Sequence, residues 1–280
     1  RADVVPARRR HTPAPAVLRV ARRSGGSEAI ARRLREEGIE TAPSPILPGA
    51  LRVLRGAPQH TRLFREGLIY IQDEAAQIVA LLLLPVDAGG GLLDLGAAPG
   101  GKLLLAAETL PPGARIVATD ISAARLRLLG ENARRMNVTG ILRVATDVTR
   151  PGLRSTFSRV LLDAPCTGTG VIRRHPEIRW RRSEDDVTAA ARTQAQALLR
   201  AVDLVSPGGR LVYSVCSLEP EEGADRIAAL LEARSDLRAV DARTLLPPVV
   251  HSLVDERGFL TTLPQRDDVD GFFAAVLVRA

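Results

Sequence analysis

The chain has 280 residues, 45% of them hydrophobic, with 39 Lys and Arg against 32 acids and a formal charge of +7. That length can bury a full core and fits one large domain or one and a half. The longest apolar run, Ile78 to Val86, is far short of the roughly 20 residues that span a bilayer, and the Arg-rich start has no apolar core of a secretion signal.

A cytoplasmic protein with reduced thiols and no membrane partner is therefore expected. The first residue is Arg rather than Met, which points to a fragment or processed form. Residues 1–70 hold 14 Arg and 6 acids, while the rest of the chain is close to neutral. A concentrated arginine surface suits a polyanion such as RNA, although a solvated Arg-biased tail has the same composition. Lys102 is the only lysine. Its retention where Arg serves everywhere else suggests a site that needs a compact ammonium.

Residues 1–16, with Pro6, Pro13 and Pro15 around Arg8-Arg9-Arg10, read as a loose basic arm. Ser27 to Gly38 predicts a helix, capped by Ser27 and ended by Gly38. Leu51–Arg55 and Leu68–Gln72 read as strands, with Pro43, Pro45 and Pro48 marking a loop before them. Residues 17–72 thus form a small α/β subdomain, expected to bind RNA. From Asp73 to the end the pattern becomes that of a larger domain. Asp73–Leu84 is helical, Leu92–Leu95 a buried strand, and a helix starts at Lys102. Arg115–Thr119 is a strand, Ser122–Asn137 an amphipathic helix, and Ile141–Thr146 and Arg159–Asp163 are strands. A long helix near Glu184–Val205 leads to strand Arg210–Val215. A helix at Glu221–Glu232 and strands at Gly258–Leu263 and Gly271–Val278 complete the chain. The alternation predicts an α/β fold with a doubly wound, mainly parallel, Rossmann-like sheet.

Three motifs end strands of this sheet. After Leu95 comes Gly96-Ala97-Ala98-Pro99-Gly100-Gly101-Lys102, a turn that lets backbone approach a ligand before a helix N-terminus. Asp120 ends the next strand, where an acidic group commonly binds ribose hydroxyls. Pro99 removes an amide donor from the turn, which favours S-adenosylmethionine over NAD. The only two cysteines, Cys166 and Cys216, follow the strands ending at Asp163 and Val215. A doubly wound sheet brings such strand-end loops together. A single Cys is usually a small buried hydrophobe. Two in paired strand-end loops point to covalent catalysis, and they fall short of a metal site.

These residues resemble the Sun (Fmu) family of RNA cytosine-5 methyltransferases, particularly its bacterial 16S rRNA branch. The resemblance rests on LDLGAAPGGK (93–102), ATDISAARLRLLGENARR (118–135), LLDAPCTGTGVIRRHPEIRW (161–180), YSVCSLEPEEG (213–223) and DGFF (270–273). With EGLIYIQDEAAQ (66–77) it covers roughly residues 17–280. It implies that Cys216 is the nucleophile, that Cys166 assists product release, and that Asp163 contacts the cytosine N3/N4 edge or the cofactor. It also implies that the backbone from Gly96 to Lys102 holds the methionine part of S-adenosylmethionine, with Asp120 at the ribose, Asp147 by the adenine and Arg125 among the cofactor contacts. Arg173, Arg174, His175 and Arg179 form an expected RNA-facing loop. The family often has Cys at the position of Gly96, Thr at that of Leu103 and Thr at that of Val215. The rRNA branch often carries an N-terminal helical RNA-binding domain, and this chain is expected to begin after it. The expected partner is rRNA, with no metal and a monomeric state. Methylation of tRNA and a non-catalytic ribosome-assembly role are the alternatives.

Overall fold

The computed structural model describes residues 14–86, 90–111 and 113–280. The expected basic arm therefore lies, apart from residues 14–16, outside the described residues. The first unit comprises β1 (Val17–Val20), α1 (Ser27–Glu36), β2 (Glu40–Pro43), β3 (Leu51–Arg55), the one-turn α2 (Arg62–Arg65) and β4 (Ile69–Ile71). Its antiparallel strands run in the order β2-β3-β1-β4, and Leu18, Ile30, Leu34, Leu51, Leu63 and Ile69 form its core. Two details differ from the pattern read above. Gly26 occupies the cap position of α1 with no side-chain cap, so Ser27 is the first helical residue; Gly38, at φ +78°, follows the helix as expected. The proline-marked loop also contributes β2, an edge strand, the one place in a sheet where a missing N–H is tolerated.

The larger unit follows as α3 (Glu74–Leu81), β5 (Leu92–Leu95), α4 (Gly101–Ala107), β6 (Ile116–Asp120), α5 (Ala123–Arg135), β7 (Ile141–Ala145) and β8 (Phe157–Asp163). Next come α6 (Ile178–Arg181), α7 (Glu184–Asp203), β9 (Val205–Val215), α8 (Ala224–Ala233), β10 (Leu237–Val240), β11 (Leu260–Thr262), α9 (Pro264–Asp267) and β12 (Phe272–Arg279). The sheet order is β10-β12-β9-β8-β5-β6-β7, with β11 paired to β12. Strands β7, β6, β5, β8 and β9 pair in parallel; β12 and then β10 continue the sheet antiparallel beyond β9.

Both faces are covered. Ile78, Leu103 and Leu129 of α3, α4 and α5 pack on one, and Leu198, Val202 and Ile227 of α7 and α8 on the other. Burial on both sides explains why β5 and β8 read as near-continuous apolar runs. Ser122 caps α5, and Ser183 with Asp186 forms a reciprocal capping box on α7. The helix expected over Glu221–Glu232 is broken. A 3-10 turn over Pro220–Glu222 precedes α8, and Gly223 lies where a Cβ would sit 3.1 Å from the Phe273 ring.

The chain leaves β5, builds β6 and β7 on one side, then returns to place β8 on the other. The topological switch point is thus between the C-terminal ends of β5 and β8, the place where open α/β sheets bind ligands.

Candidate active site

At the switch point the glycine turn after β5 faces the Asp163 loop. Gly96 has φ +87°, and a Cβ there would lie 2.5 Å from the Asp163 carbonyl oxygen. Glycine permits that close approach in this chain, and a larger side chain here would require the Asp163 backbone to shift. Gly100, at φ +109°, turns the chain into α4 and packs over Leu104 and Leu129, away from the open cleft.

Two adjoining cavities meet at Asp163. The larger, about 630 Å³, includes Gly96, Asp120, Arg125, Asp147, Cys166 and Cys216 in its lining. The smaller, about 190 Å³, lies between Tyr70–Gln72 of the first unit and Asp94, Ala97–Pro99, Gly101 and Lys102. The larger has the size of a small-molecule site.

The carboxylates differ in their setting. Asp120 is 3% exposed; its Oδ1 accepts from the Ser122 amide at 2.9 Å, and its Oδ2 lies 3.2 Å from Arg125 Nη1. Arg125 also donates to the Ala98 carbonyl, tying the β6 loop to the glycine turn. Asp147 is exposed and accepts from the Thr149 amide and hydroxyl, both at 2.8 Å. Those bonds hold its carboxyl below the usual range. Asp94 is buried with one oxygen lacking a hydrogen-bond partner, and burial, with the charge of Asp163, pushes its carboxyl well above the ordinary value.

Asp163 is held from two sides. Lys102 Nζ donates to its Oδ2 at 2.7 Å, and Ser214 Oγ donates to its Oδ1 at 2.7 Å. The second contact follows from register, because Asp163 on β8 pairs with Ser214 on β9. Burial works against the Lys102 charge, but the Asp163 carboxylate outweighs it and raises the ammonium above its usual value. Lys102 also lies 5.0 Å from the centre of the Phe272 ring. The single lysine of the chain is thus built into the site.

The same parallel pairing sets the cysteines side by side. Both thiols are free, and Cys166 Sγ lies 3.3 Å from Cys216 Sγ. The pair is asymmetric. The hydrogen bond with Cys166 lowers Cys216 below an ordinary thiol, and Lys102 adds to this against burial and the Asp163 charge. The same bond, burial and the charges of Cys216, Glu222 and Asp163 push Cys166 well above. Cys216 is the thiol that ionises first, with Cys166 as donor to its thiolate.

Beneath both loops lies Glu222, fully buried. Its Oε1 accepts from Ser217 Oγ at 2.6 Å and from Thr167 Oγ1; its Oε2 accepts from the Thr167 amide at 2.9 Å and Gln194 Nε2 at 2.8 Å. Gln194 also donates to the Pro165 carbonyl at 2.9 Å. Sequence reading missed this hub. A usable signal was present in Gln194, a polar residue within the apolar stripe Ala191, Ala197, Leu198 and Ala201 of α7.

The expected RNA-facing loop divides. Arg174 Nε donates to Asp270 Oδ2 at 2.6 Å and its Nη2 to Asp73 Oδ2 at 2.9 Å. Arg173, with its side chain 4% exposed, pairs with Asp268 at 3.0 Å. The loop packs against 268–271, where Gly170 and Gly271 meet through a backbone bond of 2.9 Å, and the carboxylates there take both guanidinium groups. Arg173 and Arg174 therefore staple the loop down rather than face solvent. His175 and Arg179 are exposed.

Residues 80–278 match the family described as 16S rRNA methyltransferase RsmB/F. Ribosomal RNA small subunit methyltransferase B of Salmonella agona (strain SL483) is 36% identical over 269 residues, 95% of this chain and 60% of that protein. The protein of the same name from Klebsiella pneumoniae (strain 342) is also 36% identical, with 59% of its length covered. The chain thus spans about 60% of the length of these relatives. A methyltransferase homologue from Pyrococcus horikoshii superposes with TM-score 0.81 at 27% identity, over 98% of this chain and 89% of that one. NSun6 from Pyrococcus horikoshii, solved with SFG, shares the fold at TM-score 0.85 and 21% identity, over 97% and 92%.

Proposed function

Because the chain belongs to the RsmB/F family of 16S rRNA methyltransferases, we propose that it methylates C5 of cytosine in small-subunit rRNA with S-adenosylmethionine as donor. The observation that carries this reading is the pair of free thiols, 3.3 Å apart at the sheet's switch point and opening on the 630 Å³ cleft.

The cleft suits that cofactor. Buried Asp120 offers an acceptor to ribose hydroxyls, and Asp147 and Gly96 line the same cleft. Asp163 supplies negative charge where the two cavities meet and would favour a cationic cofactor, while buried Asp94 lines the smaller cavity. When bound, S-adenosylmethionine supplies an electrophilic methyl group.

The chain's own residues do the rest. C5 of cytosine is a poor nucleophile until a thiolate adds to C6, and Cys216, lowered by Cys166 and Lys102, provides that thiolate. Asp163, fixed by Lys102 and Ser214, accepts from the exocyclic amino group and orients the ring. The adjacent Lys102 ammonium offsets the charge that enters the ring on addition. Once C5 carries its methyl group, its proton passes to water in the open cleft and the C6–S bond breaks, the bonding pair leaving on the Cys216 sulfur as thiolate. Cys166 donates a hydrogen bond to the departing sulfur at 3.3 Å.

The test is transfer of labelled methyl to naked 16S rRNA, assembled small subunits and tRNA, with the product nucleoside identified by mass. 5-Methylcytosine in 16S rRNA is expected; label in tRNA alone overturns the substrate, and no label with cofactor bound overturns catalysis. Cys166→Ala is expected to accumulate a denaturation-resistant protein–RNA adduct, whereas Cys216→Ala forms none. An adduct in Cys216→Ala reverses the two roles.

A further inference from the structure

The chain has eight aromatic side chains: five Phe, two Tyr and one Trp. Phe157, Phe259, Phe272, Phe273, Tyr70 and Tyr213 are buried. Phe64 is half-buried, with the Arg135 guanidinium 3.9 Å from its ring centre. Trp180 is the exception at 79% exposure, the highest among the exposed large hydrophobic side chains of the described residues. Folding gains little from an indole left in water.

Its position is also fixed. Trp180 sits on the one-turn helix α6, directly after the Cys166 loop in the chain. Ile178 packs where a Cβ on Gly168 would lie 3.3 Å from its Cδ1, and Arg182 Nε donates to the Thr167 carbonyl at 3.1 Å. Residues 178 and 182 are four apart and share one side of a helix. Trp180 therefore projects from the opposite side, away from the loop that its neighbours hold. His175, Arg179, Arg181 and Arg182 are exposed around it, with Glu177 the one acid in that stretch. The acids Glu184 to Asp186 begin the next helix, where Asp186 forms the Ser183 capping box and also lies 3.9 Å from Arg182. The Ile178 and Arg182 contacts tie α6 to the loop that carries Cys166, one of the two thiols lining the cleft.

We propose that Trp180 is a stacking platform for an unpaired nucleotide flanking the target cytosine, held there by the arginines of the same segment. This rests on the RNA methyltransferase reading above. It goes further in selecting single-stranded or loop RNA, because a stacked base must present a free face. Arginine complements a phosphate backbone, and an exposed aromatic ring takes any base; together they fit RNA better than an apolar protein patch.

Trp180 is the only tryptophan, so its fluorescence reports on this surface alone. The 280-residue chain is titrated with an unstructured, end-labelled oligoribonucleotide, and label anisotropy is followed beside indole emission. Quenching with the same midpoint as the anisotropy change is expected. Trp180→Ala is expected to weaken binding about 5- to 150-fold, the equivalent of ~1–3 kcal/mol for one stacked base. Trp180→Phe should retain most of the affinity. RNA binding with unchanged emission and undiminished affinity in Trp180→Ala overturns the platform and leaves the methyltransferase reading intact. Failure of the wild type to bind any RNA overturns that reading itself. An indole that responds to assembled small subunits but not to naked RNA assigns the surface to a protein and also overturns the proposal.

Discussion

Replacing Glu222 by alanine removes the one carboxylate that both cysteine loops share. Four donors lose their acceptor: the Thr167 amide, the Thr167 and Ser217 hydroxyls, and the Gln194 amide. They are not equally stranded. The two hydroxyls are 3.3 Å apart and Ser217 is 3.2 Å from Thr169 Oγ1, so they can pair among themselves, and Gln194 keeps the Pro165 carbonyl. The Thr167 N–H has no such substitute. One orphaned buried donor costs about 1–3 kcal/mol, and the emptied space adds a cavity term. Relief from burying a charge offsets part of this, so a net loss of about 2–4 kcal/mol is expected. Glu222→Gln should lose only about 1 kcal/mol, because its carbonyl can face Thr167 N–H and Gln194 while its NH2 donates to hydroxyls free to rotate. Urea unfolding measures both values. Alkylation of the two thiols supplies a second readout: with the Glu222 charge gone, Cys166 is less strongly held as a thiol, and the preference for modifying Cys216 narrows. An alanine variant within about 0.5 kcal/mol of wild type, with unchanged thiol selectivity, would refute the hub.

Lys102→Met removes a cation that lowers Cys216, so its thiol value rises and the pH profile of its alkylation shifts to higher pH; reactivity at neutral pH should fall several-fold. Arg174→Ala leaves Asp73 and Asp270, already raised by burial, without their shared cation. It should cost about 3 kcal/mol near neutral pH by thermal or urea unfolding. Protonation relieves two raised carboxyls, so the deficit should shrink in acid and grow as pH rises. Asp94→Asn acts in the opposite sense. The folded state favours protonated Asp94, so wild-type stability is lost as pH rises through the raised value. The asparagine variant should gain on wild type as pH rises above the ordinary carboxylate range, by at most ~1.4 kcal/mol per pH unit.

Much of the larger unit was legible before any coordinates. Strands buried on both faces are long apolar runs closed by Gly, Asp or Pro, so β5 was read to the residue and β6, β8 and β9 were read as strands ending close to their true C-termini. Those ends carry the glycine turn, Asp120, Asp163 and both cysteines, because ligand sites in such sheets lie where strands stop. The short edges were not legible. β2 ends in Pro43, and β10 has only the pattern Leu-Arg-Ala-Val; neither has a periodicity of its own, and each is a strand because a neighbour offers it a ladder.

The order of residues along the chain thus determined which chemistry is present: two thiols, one lysine, an acid after each of several strands. Tertiary structure decided how those groups are used. Parallel pairing of β8 with β9 sets the thiols 3.3 Å apart. Three aspartates distant in sequence turn Arg173 and Arg174 inward, while Trp180 remains in solvent a few residues later. Local sequence sets propensity and chemical type. Partner choice is set by whichever group, however far along the chain, offers compensation for burial at that point.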